Sequence, residues 1–194
     1  LDDLRGVARV VGRASSRSVA IVGNLKNFAR APQEAVPADL HEGLDETLAL
    51  LAGTIRHKSI HIVQDRAELA PVRCRAGEIN QVFMNLLTNA VQAVSEEGTI
   101  RITTRMAPDN KVVLCFEDDG PGVPPAIAAR IFDPFFTTKN RGEGTGLGLS
   151  ISSEIMRRHG GRLALGKARD LGGAAFEVEL PLEPASATMR SAAQ

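Results

Sequence analysis

The residues best suited to do chemistry lie in a glycine-rich run from Asp118 to Leu149. The run consists of three stretches, Asp118-Asp119-Gly120-Pro121-Gly122, Ile131-Phe132-Asp133-Pro134-Phe135-Phe136-Thr137-Thr138-Lys139 and Gly142-Glu143-Gly144-Thr145-Gly146-Leu147-Gly148-Leu149. Glycines have no Cβ, so backbone amides can approach a phosphate chain closely. A helical apolar pattern begins at the last glycines, which places them at a helix N-terminus, where free N–H groups favour an anion. We interpret the run as a nucleotide-binding lid and not as a linker.

Two asparagines form a second group of interest. Asn85 and Asn89 lie four residues apart in a segment whose apolar spacing predicts a helix over 78–94, so they project from one helix face. One interpretation is a hydrogen-bond network between this helix and a loop. The other is donation of oxygen ligands to a hard cation such as Mg²⁺. Taken alone, the pair favours the network.

Asp118 also has two interpretations. It follows the apolar segment 112–116, which predicts a strand, so its carboxylate could cap the turn that leaves the sheet. The carboxylate could instead accept a hydrogen bond from an exocyclic amine such as that of adenine. In that case Gly120 and Gly122 would let the backbone pass close to a flat base.

The elements that must position these residues predict an α+β fold of helices layered on a sheet. Residues 1–30 are predicted to be one helix with a near-heptad apolar seam. We favour the interpretation that this seam packs on a partner helix; the alternative is that the helix folds back on its own domain. Two prolines predict a hinge at 31–37. A globular domain is predicted over 38–182, and a disordered tail over 183–194. Inside the domain, patterns predict helices after the capping residue Asp39, over 78–94 and from 149 to about 159, and strands at 60–63, 99–103, 112–116, 162–165 and 175–180.

Composition limits the classes of function. With 194 residues, 43% hydrophobic content and a net charge of +0, the chain suits a soluble globular domain and has no general attraction for nucleic acid. No apolar stretch approaches the ~20 residues of a membrane span, so we expect a cytoplasmic location, with any membrane attachment through segments outside this chain. Cys74 and Cys115 lack metal-ligand spacing and are interpreted as reduced thiols in or near the core. Because the chain begins with Leu1 and not Met, we expect a longer protein around it.

The order of the motifs is more specific than any one of them. An asparagine pair is followed by Asp-x-Gly-x-Gly, a phenylalanine cluster, a glycine series that opens a helix, and Gly172-Gly173 before Phe176. In this order they resemble the catalytic ATP-binding domain of sensor histidine kinases, in the superfamily shared with gyrase, the ninety-kilodalton heat-shock protein and MutL. The resemblance covers residues 39–181 and implies a Bergerat-type fold, a two-layer α/β sandwich with a mixed, mainly antiparallel sheet, preceded by a long helix.

The resemblance also implies roles for individual residues. Asn89 would bind Mg²⁺, Asn85 would face the phosphates of ATP, and Asp118 would accept a hydrogen bond from the adenine amine. The related ATPases have a general-base Glu at the Asn85 position, and an amide cannot take that proton, which fits phosphoryl transfer to a protein side chain better than hydrolysis. The remaining implied nucleotide-binding residues are Gly120, Gly122, Lys139, Gly144, Thr145, Gly146, Leu147, Gly148 and Leu149. Three of the seven phenylalanines would anchor the lid against the core and the helical stem: Phe132, Phe135 and Phe136.

The sequence departs from the family pattern in two places and lacks one group. Gln92 stands where the family often has Lys, and Ala174-Ala175 where Ser or Thr is frequent. The family carries its acceptor histidine on the first stem helix, whereas residues 1–30 resemble the second. We interpret His41 as a surface residue and His159 as a favourable contact with a helix C-terminus. We therefore expect no phosphorylation of this chain in cis.

The function implied is transfer of the γ-phosphoryl of Mg-ATP to a histidine outside this chain, and then to an aspartate of a response-regulator receiver domain. The full protein is expected to be a homodimer through the N-terminal helix. Two alternatives stay open. An ATPase or serine kinase of the same fold is disfavoured by the amide of Asn85, and a degenerate nucleotide-binding signalling module is kept open by Gln92.

Overall fold

The computed structural model describes residues 34–139 and 144–183. The helix predicted over 1–30, the first three residues of the predicted hinge and the tail after 183 lie outside the described residues. In the described part, the strands are β1 (Val36–Ala38), β2 (His61–Arg66), β3 (Val72–Cys74), β4 (Thr99–Ala107), β5 (Lys111–Asp118), β6 (Arg162–Leu165) and β7 (Ala175–Pro181). The helices are α1 (Leu40–His57), α2 (Ala76–Ala93), α3 (Pro125–Ala128) and α4 (Gly148–Arg158).

Five strands form one mixed sheet in the order β2-β4-β5-β7-β6. The β2–β4 pair is parallel, and the other three pairs are antiparallel. Alternate residues of β4, such as Ile100 and Ile102, are buried, while Arg101 and Thr103 between them are partly exposed. One sheet face therefore carries the core, as the period of two requires.

Three helices cover that face. Helix α2 packs between α1 and α4 and against β5, where the ring centroids of Phe83 and Phe116 lie 5.8 Å apart. The predicted leucine stripe of α1 begins in the core, because Leu40 and Leu44 are buried. The predicted two-layer α+β fold is confirmed. Within the described residues, none of the helices has the combination of length and apolar character that crossing a bilayer requires.

A small second sheet was not predicted. Val36 and Pro37, which the sequence analysis assigned to the hinge, lie in β1, and β1 pairs antiparallel with β3. Arg73 in β3 donates from Nη1 to the Ala35 carbonyl at 2.9 Å and so extends the contact. Strands of three residues are too short to show an alternating pattern, which explains why both were missed.

His41 differs from its sequence interpretation as a surface residue, whereas His159 lies at a helix C-terminus as interpreted. The Nε2 atom of His41 lies 3.0 Å from Oγ1 of Thr104, so the ring links α1 to the sheet and is partly buried. The Nε2 atom of His159 accepts a hydrogen bond from the Arg75 amide, and Nδ1 lies 2.8 Å from the Ile155 carbonyl. His159 is therefore a buried link between α4 and the start of α2, and its ring contacts a carbonyl in the last turn of α4, in line with the expected contact at a helix C-terminus.

Candidate functional site

The carboxylate of Asp118 stands at the end of β5 and is almost fully buried, with 4% of the residue exposed. Its Oδ1 accepts hydrogen bonds from the backbone amides of Gly120, at 2.9 Å, and Ala174, at 3.3 Å. Burial raises the pKa of Asp118 above its ordinary value of 3.8, and the two amide hydrogen bonds oppose that rise. In the part of the chain that the structure describes, Oδ2 has no hydrogen-bond partner. One oxygen is therefore fixed, and the other is left for a donor.

Three glycines bring the backbone close to this carboxylate. A Cβ added at Gly173 would lie 2.6 Å from Oδ1 of Asp118 and 2.7 Å from the Gly120 nitrogen, and a Cβ at Gly120 would meet Ala93 at the end of α2. Gly122 has a φ of +72° and would place its Cβ 3.2 Å from the Gly173 carbonyl oxygen. These positions require glycine because the approach is between backbones. They also join the end of β5 to α2.

Helix α2 presents the two asparagines to the last glycines of the run. The Nδ2 atom of Asn85 donates to the Gly148 carbonyl at 3.1 Å and to the Ser152 hydroxyl at 3.0 Å. These bonds hold the N-terminus of α4 against α2. One turn further along α2, Oδ1 of Asn89 accepts a hydrogen bond from Nζ of Lys139 at 3.3 Å, and the same ammonium contacts Oε1 of Gln92.

The segment that ends at Lys139 contacts the segment that begins at Gly144. The amide of Phe135 donates to the Gly146 carbonyl at 2.9 Å. Both residues have positive φ angles, 67° and 66°, and a Cβ at Gly146 would lie 2.6 Å from the Phe135 carbonyl oxygen. Phe132 and Phe136 pack against the core, and their role as lid anchors stays a prediction. The ring of Phe135 is 74% exposed and does not pack on that core, and the stem helix predicted as its other partner lies outside the described residues.

An open cleft of about 440 Å³ lies beside the Lys139 contact and is lined by Thr54, Lys58, Val91, Gln92 and Lys139. Nζ of Lys58 donates to the Val91 and Val94 carbonyls at 2.8 and 2.6 Å, so Lys58 caps the end of α2. Among residues 34–139 and 144–183, no three His, Cys, Asp or Glu side chains form a metal-binding group. A hard cation here would therefore depend on amide oxygens and on oxygens of a ligand, which suits Mg²⁺ held together with phosphates.

The structure brings together the residues selected from the sequence through these contacts. The Asp118 turn meets α2 at Ala93, Asn89 meets Lys139, Asn85 meets Gly148, and Gly144 lies against Lys139. Two further predicted residues lie around the start of α4. Oγ1 of Thr145 accepts a hydrogen bond from the Leu147 amide at 3.3 Å, and Leu149 packs on the core.

Sequence reasoning missed supporting residues on both sides of the site. Ser152 holds Asn85, and the Ala174 amide holds Asp118. Oε1 of Glu117 accepts hydrogen bonds from the amides of Asp170 and Leu171, at 2.8 and 2.7 Å, and so fixes the loop that carries Gly173. The one signal available for Glu117 was an acidic residue directly after the apolar run 112–116, in a strand predicted to be buried.

Comparison with known proteins decides the family. Residues 75–184 match the model of the "Histidine kinase-, DNA gyrase B-, and HSP90-like ATPase" family, and this match covers more than half of the chain. The chain belongs to this ATPase family. The matched segment contains Asn85, Asn89, Asp118 and the whole glycine-rich run.

Individual relatives of the chain are sensor kinases. The chain is 33% identical over 194 residues to the C4-dicarboxylate transport sensor protein DctB of Pseudomonas aeruginosa. This match covers 97% of the chain and 31% of that relative. The catalytic domain of histidine kinase ThkA superposes with a TM-score of 0.70 at 33% identity, over 78% of this chain and 100% of that one. A second ThkA structure, in complex with response regulator protein TrrA, gives a TM-score of 0.76 at 29% identity over 93% of this chain and 52% of that chain. The resemblance inferred from motif order is confirmed, and the chain is an ATP-binding catalytic domain of the histidine kinase type.

Proposed function

We propose that this chain binds Mg-ATP and that the full protein transfers the γ-phosphoryl group to a histidine outside this chain and then to an aspartate of a response regulator. The observation that carries the proposal is the Asp118 carboxylate. It is buried, held at Oδ1 by two backbone amides and without a partner at Oδ2 in the described residues. Among the described residues, Oδ2 is not one of the fully buried polar atoms that lack a partner, so a ligand can reach it, and the exocyclic amine of adenine would supply its donor.

The opposite end of the site suits the phosphates. Gly148 opens an eleven-residue helix, whose first amides and positive dipole end favour an anion. Lys139 adds a positive charge one helical turn from Asn85, beside Asn89. The role of Asn89 is to offer its amide oxygen to Mg²⁺, and the cation supplies charge neutralisation of the phosphates when bound. Asn89, Lys139 and the α4 amides then bind and orient the γ-phosphoryl group.

The chain offers an amide, Asn85, where the water-activating ATPases of the superfamily have a carboxylate. Because an amide cannot accept a proton from water, the site orients a phosphoryl group for an external acceptor. A response regulator as the second acceptor is supported by the ThkA structure that contains one. The same proposal includes the organisation of the full protein. Residues 1–30 are a stem helix through which it forms a homodimer, and residues 38–182 are its catalytic domain. The domain is cytoplasmic, and any membrane attachment lies outside this chain.

Calorimetric titration of ATP, with and without Mg²⁺, tests the nucleotide site. We expect wild type to bind, and Asp118→Ala to lose about 10- to 100-fold in affinity under both conditions, because it removes a charged hydrogen-bond acceptor. Asn89→Ala should lower affinity only when Mg²⁺ is present.

Two matched variants control for general damage. Asn80→Ala removes a side-chain amide of α2 that donates to Glu46, and Asp65→Ala removes an exposed carboxylate of β2. Both should bind Mg-ATP as wild type does. If wild type binds no ATP, the catalytic proposal is wrong and a degenerate module that signals through a protein partner takes its place.

A further inference from the structure

We infer that Ser152 is a positioning residue, which fixes the amide of Asn85 so that only its oxygen is available to the bound Mg-nucleotide. This inference rests on the proposed function and adds to it. The sequence motifs end at Leu149 and did not include Ser152. The contact of the serine with Asn85 is what draws it into the site.

The orientation of the Asn85 amide follows from the chemistry of its neighbours. A side-chain amide has two N–H donors on nitrogen and an acceptor oxygen, and the two ends look alike unless a partner distinguishes them. The Gly148 carbonyl lies 3.1 Å from Nδ2, and a carbonyl can only accept. The nitrogen must therefore face α4, and the oxygen must face away from that carbonyl.

Ser152 takes the second hydrogen of the same nitrogen. Its hydroxyl lies 3.0 Å from Nδ2, and the residue is fully buried, with 0% exposure. Gly148 and Ser152 are four residues apart in α4, so their acceptors lie on one face of the helix, one turn apart. Both N–H donors of Asn85 are therefore used. Without the hydroxyl, the amide has a single partner and its orientation is less restricted.

The consequence concerns what Asn85 can bind. In the described residues, no group donates a hydrogen bond to its Oδ1, so the oxygen is the atom that remains available. Phosphate oxygens of ATP are acceptors at neutral pH, and an acceptor cannot hydrogen-bond to an acceptor. Oδ1 pairs instead with a cation or with a water bound to it. The contribution of Asn85 to nucleotide affinity therefore requires Mg²⁺, and Ser152 acts through Asn85.

The test compares ATP affinity with Mg²⁺ and with a chelator in Ser152→Ala, Asn85→Ala and the double variant. We expect Ser152→Ala to lower the Mg-ATP affinity about 10-fold, as loss of a supporting partner of a metal-site group does, and to leave the metal-free affinity unchanged. In the Asn85→Ala background, Ser152→Ala should have no further effect, because the two residues act as one unit. Ser150→Ala is the matched control, since that hydroxyl donates to the Leu147 carbonyl in the same turn of α4.

A second measurement needs no nucleotide. Hydrogen exchange of the Asn85 side-chain amide, followed by NMR, should show two protected protons in wild type and one in Ser152→Ala. Ser152→Cys keeps the volume, weakens the hydrogen bond and should give intermediate values, which covers the case in which Ser152→Ala does not fold.

The outcomes separate the two proposals. If wild type binds no ATP, both are wrong. If wild type binds but Ser152→Ala lowers metal-free and Mg-ATP affinity equally, or adds its effect to that of Asn85→Ala, the positioning role alone is overturned. A Mg²⁺-dependent loss that disappears in the Asn85→Ala background supports it.

Discussion

The Asp118 end and the Lys139 end of the site are built in different ways. Asp118 is 4% exposed, and its oxygen accepts hydrogen bonds from two backbone amides. Lys139 is exposed and reaches Asn89 and Gln92 through a long flexible side chain. Backbone donors cost no side-chain entropy, whereas an ordered lysine gives up rotamer freedom. The first end is preorganised, and in the proposed function the second would exchange side-chain contacts for ligand contacts.

This difference fits the chemistry assigned to each end. A nucleotide base has a fixed pattern of hydrogen-bond donors and acceptors. A rigid protein partner binds it more tightly, because little conformational entropy is lost on binding. A phosphate chain carries diffuse charge and changes during phosphoryl transfer, so a flexible cation can follow it. Substitutions at the Asp118 end should therefore have larger effects than substitutions at the Lys139 end.

The largest effect is expected from Gly173→Ala. The added methyl would lie 2.6 Å from Oδ1 of Asp118, and the neighbouring atoms include backbone that cannot move aside cheaply. We expect a loss of about 3 kcal/mol in the free energy of unfolding, as overpacking produces, together with loss of ATP binding. Chemical denaturation and calorimetry measure the two quantities.

The adjacent glycine provides the control for this variant. Gly172 has a φ of +83° but open space around its Cβ position, so Gly172→Ala pays only for backbone strain, about 1 kcal/mol. If the two variants were equally destabilised, crowding at Asp118 would not be the cause, and the preorganised description of this end would be wrong.

A smaller and more selective effect is expected from Asp118→Asn. The amide oxygen can still accept from Gly120 and Ala174, but a nitrogen replaces Oδ2, so a donor would face the adenine amine. ATP affinity should fall about 10-fold or more. Stability at neutral pH should not fall, because the variant no longer buries a charged carboxylate, the burial that raises the pKa of Asp118.

The pH dependence of that stability has a definite sign. The folded chain holds the Asp118 proton more tightly than the unfolded chain, whose pKa is near 3.8. This carboxylate therefore disfavours folding at neutral pH, and the penalty is lost as the pH falls through the raised pKa toward 3.8. The stability advantage of Asp118→Asn should shrink over the same interval in denaturation curves. An advantage that grows on acidification would contradict the assignment of burial as the main cause of the shift.

The predictability of the molecule from its sequence divides along similar lines. The long helices and strands were predicted because their apolar residues repeat with periods that run over many residues. The candidate site residues were selected because glycines, asparagines and the aspartate occur in a fixed order. The residues that hold them in place were not predicted, since Ser152 and Glu117 act through contacts between residues far apart in sequence. Such contacts leave no local pattern.

The same limit applies to Gln92. The sequence marked it as a position where a phosphate contact was in doubt. The structure shows that Lys139, 47 residues later, brings its ammonium to Gln92 and Asn89. A cation is therefore present in this part of the site, but it comes from another segment, and only the fold reveals that.

The smallest effect is expected from Lys139→Met. Its ammonium is exposed, and exposed charge contacts contribute about 1 kcal/mol or less, so Mg-ATP affinity should fall by no more than about 5-fold. The loss should diminish at high salt, because salt screens such contacts. Combining Lys139→Met with Gln92→Lys should restore the affinity, since the second substitution returns a positive charge beside Asn89. Calorimetry at two salt concentrations measures all three results.

The control is Lys167→Met, which removes an exposed lysine from the loop between β6 and β7 and should leave affinity unchanged. Two results would change the comparison of the two ends. If Lys139→Met cost as much as Asp118→Asn, the ammonium would be a fixed ligand and the Lys139 end would also be preorganised. If Gln92→Lys failed to rescue the variant, the lysine would act by holding its own loop near Gly144 and not by its charge, and the phosphates would depend on the α4 N-terminus and Asn89.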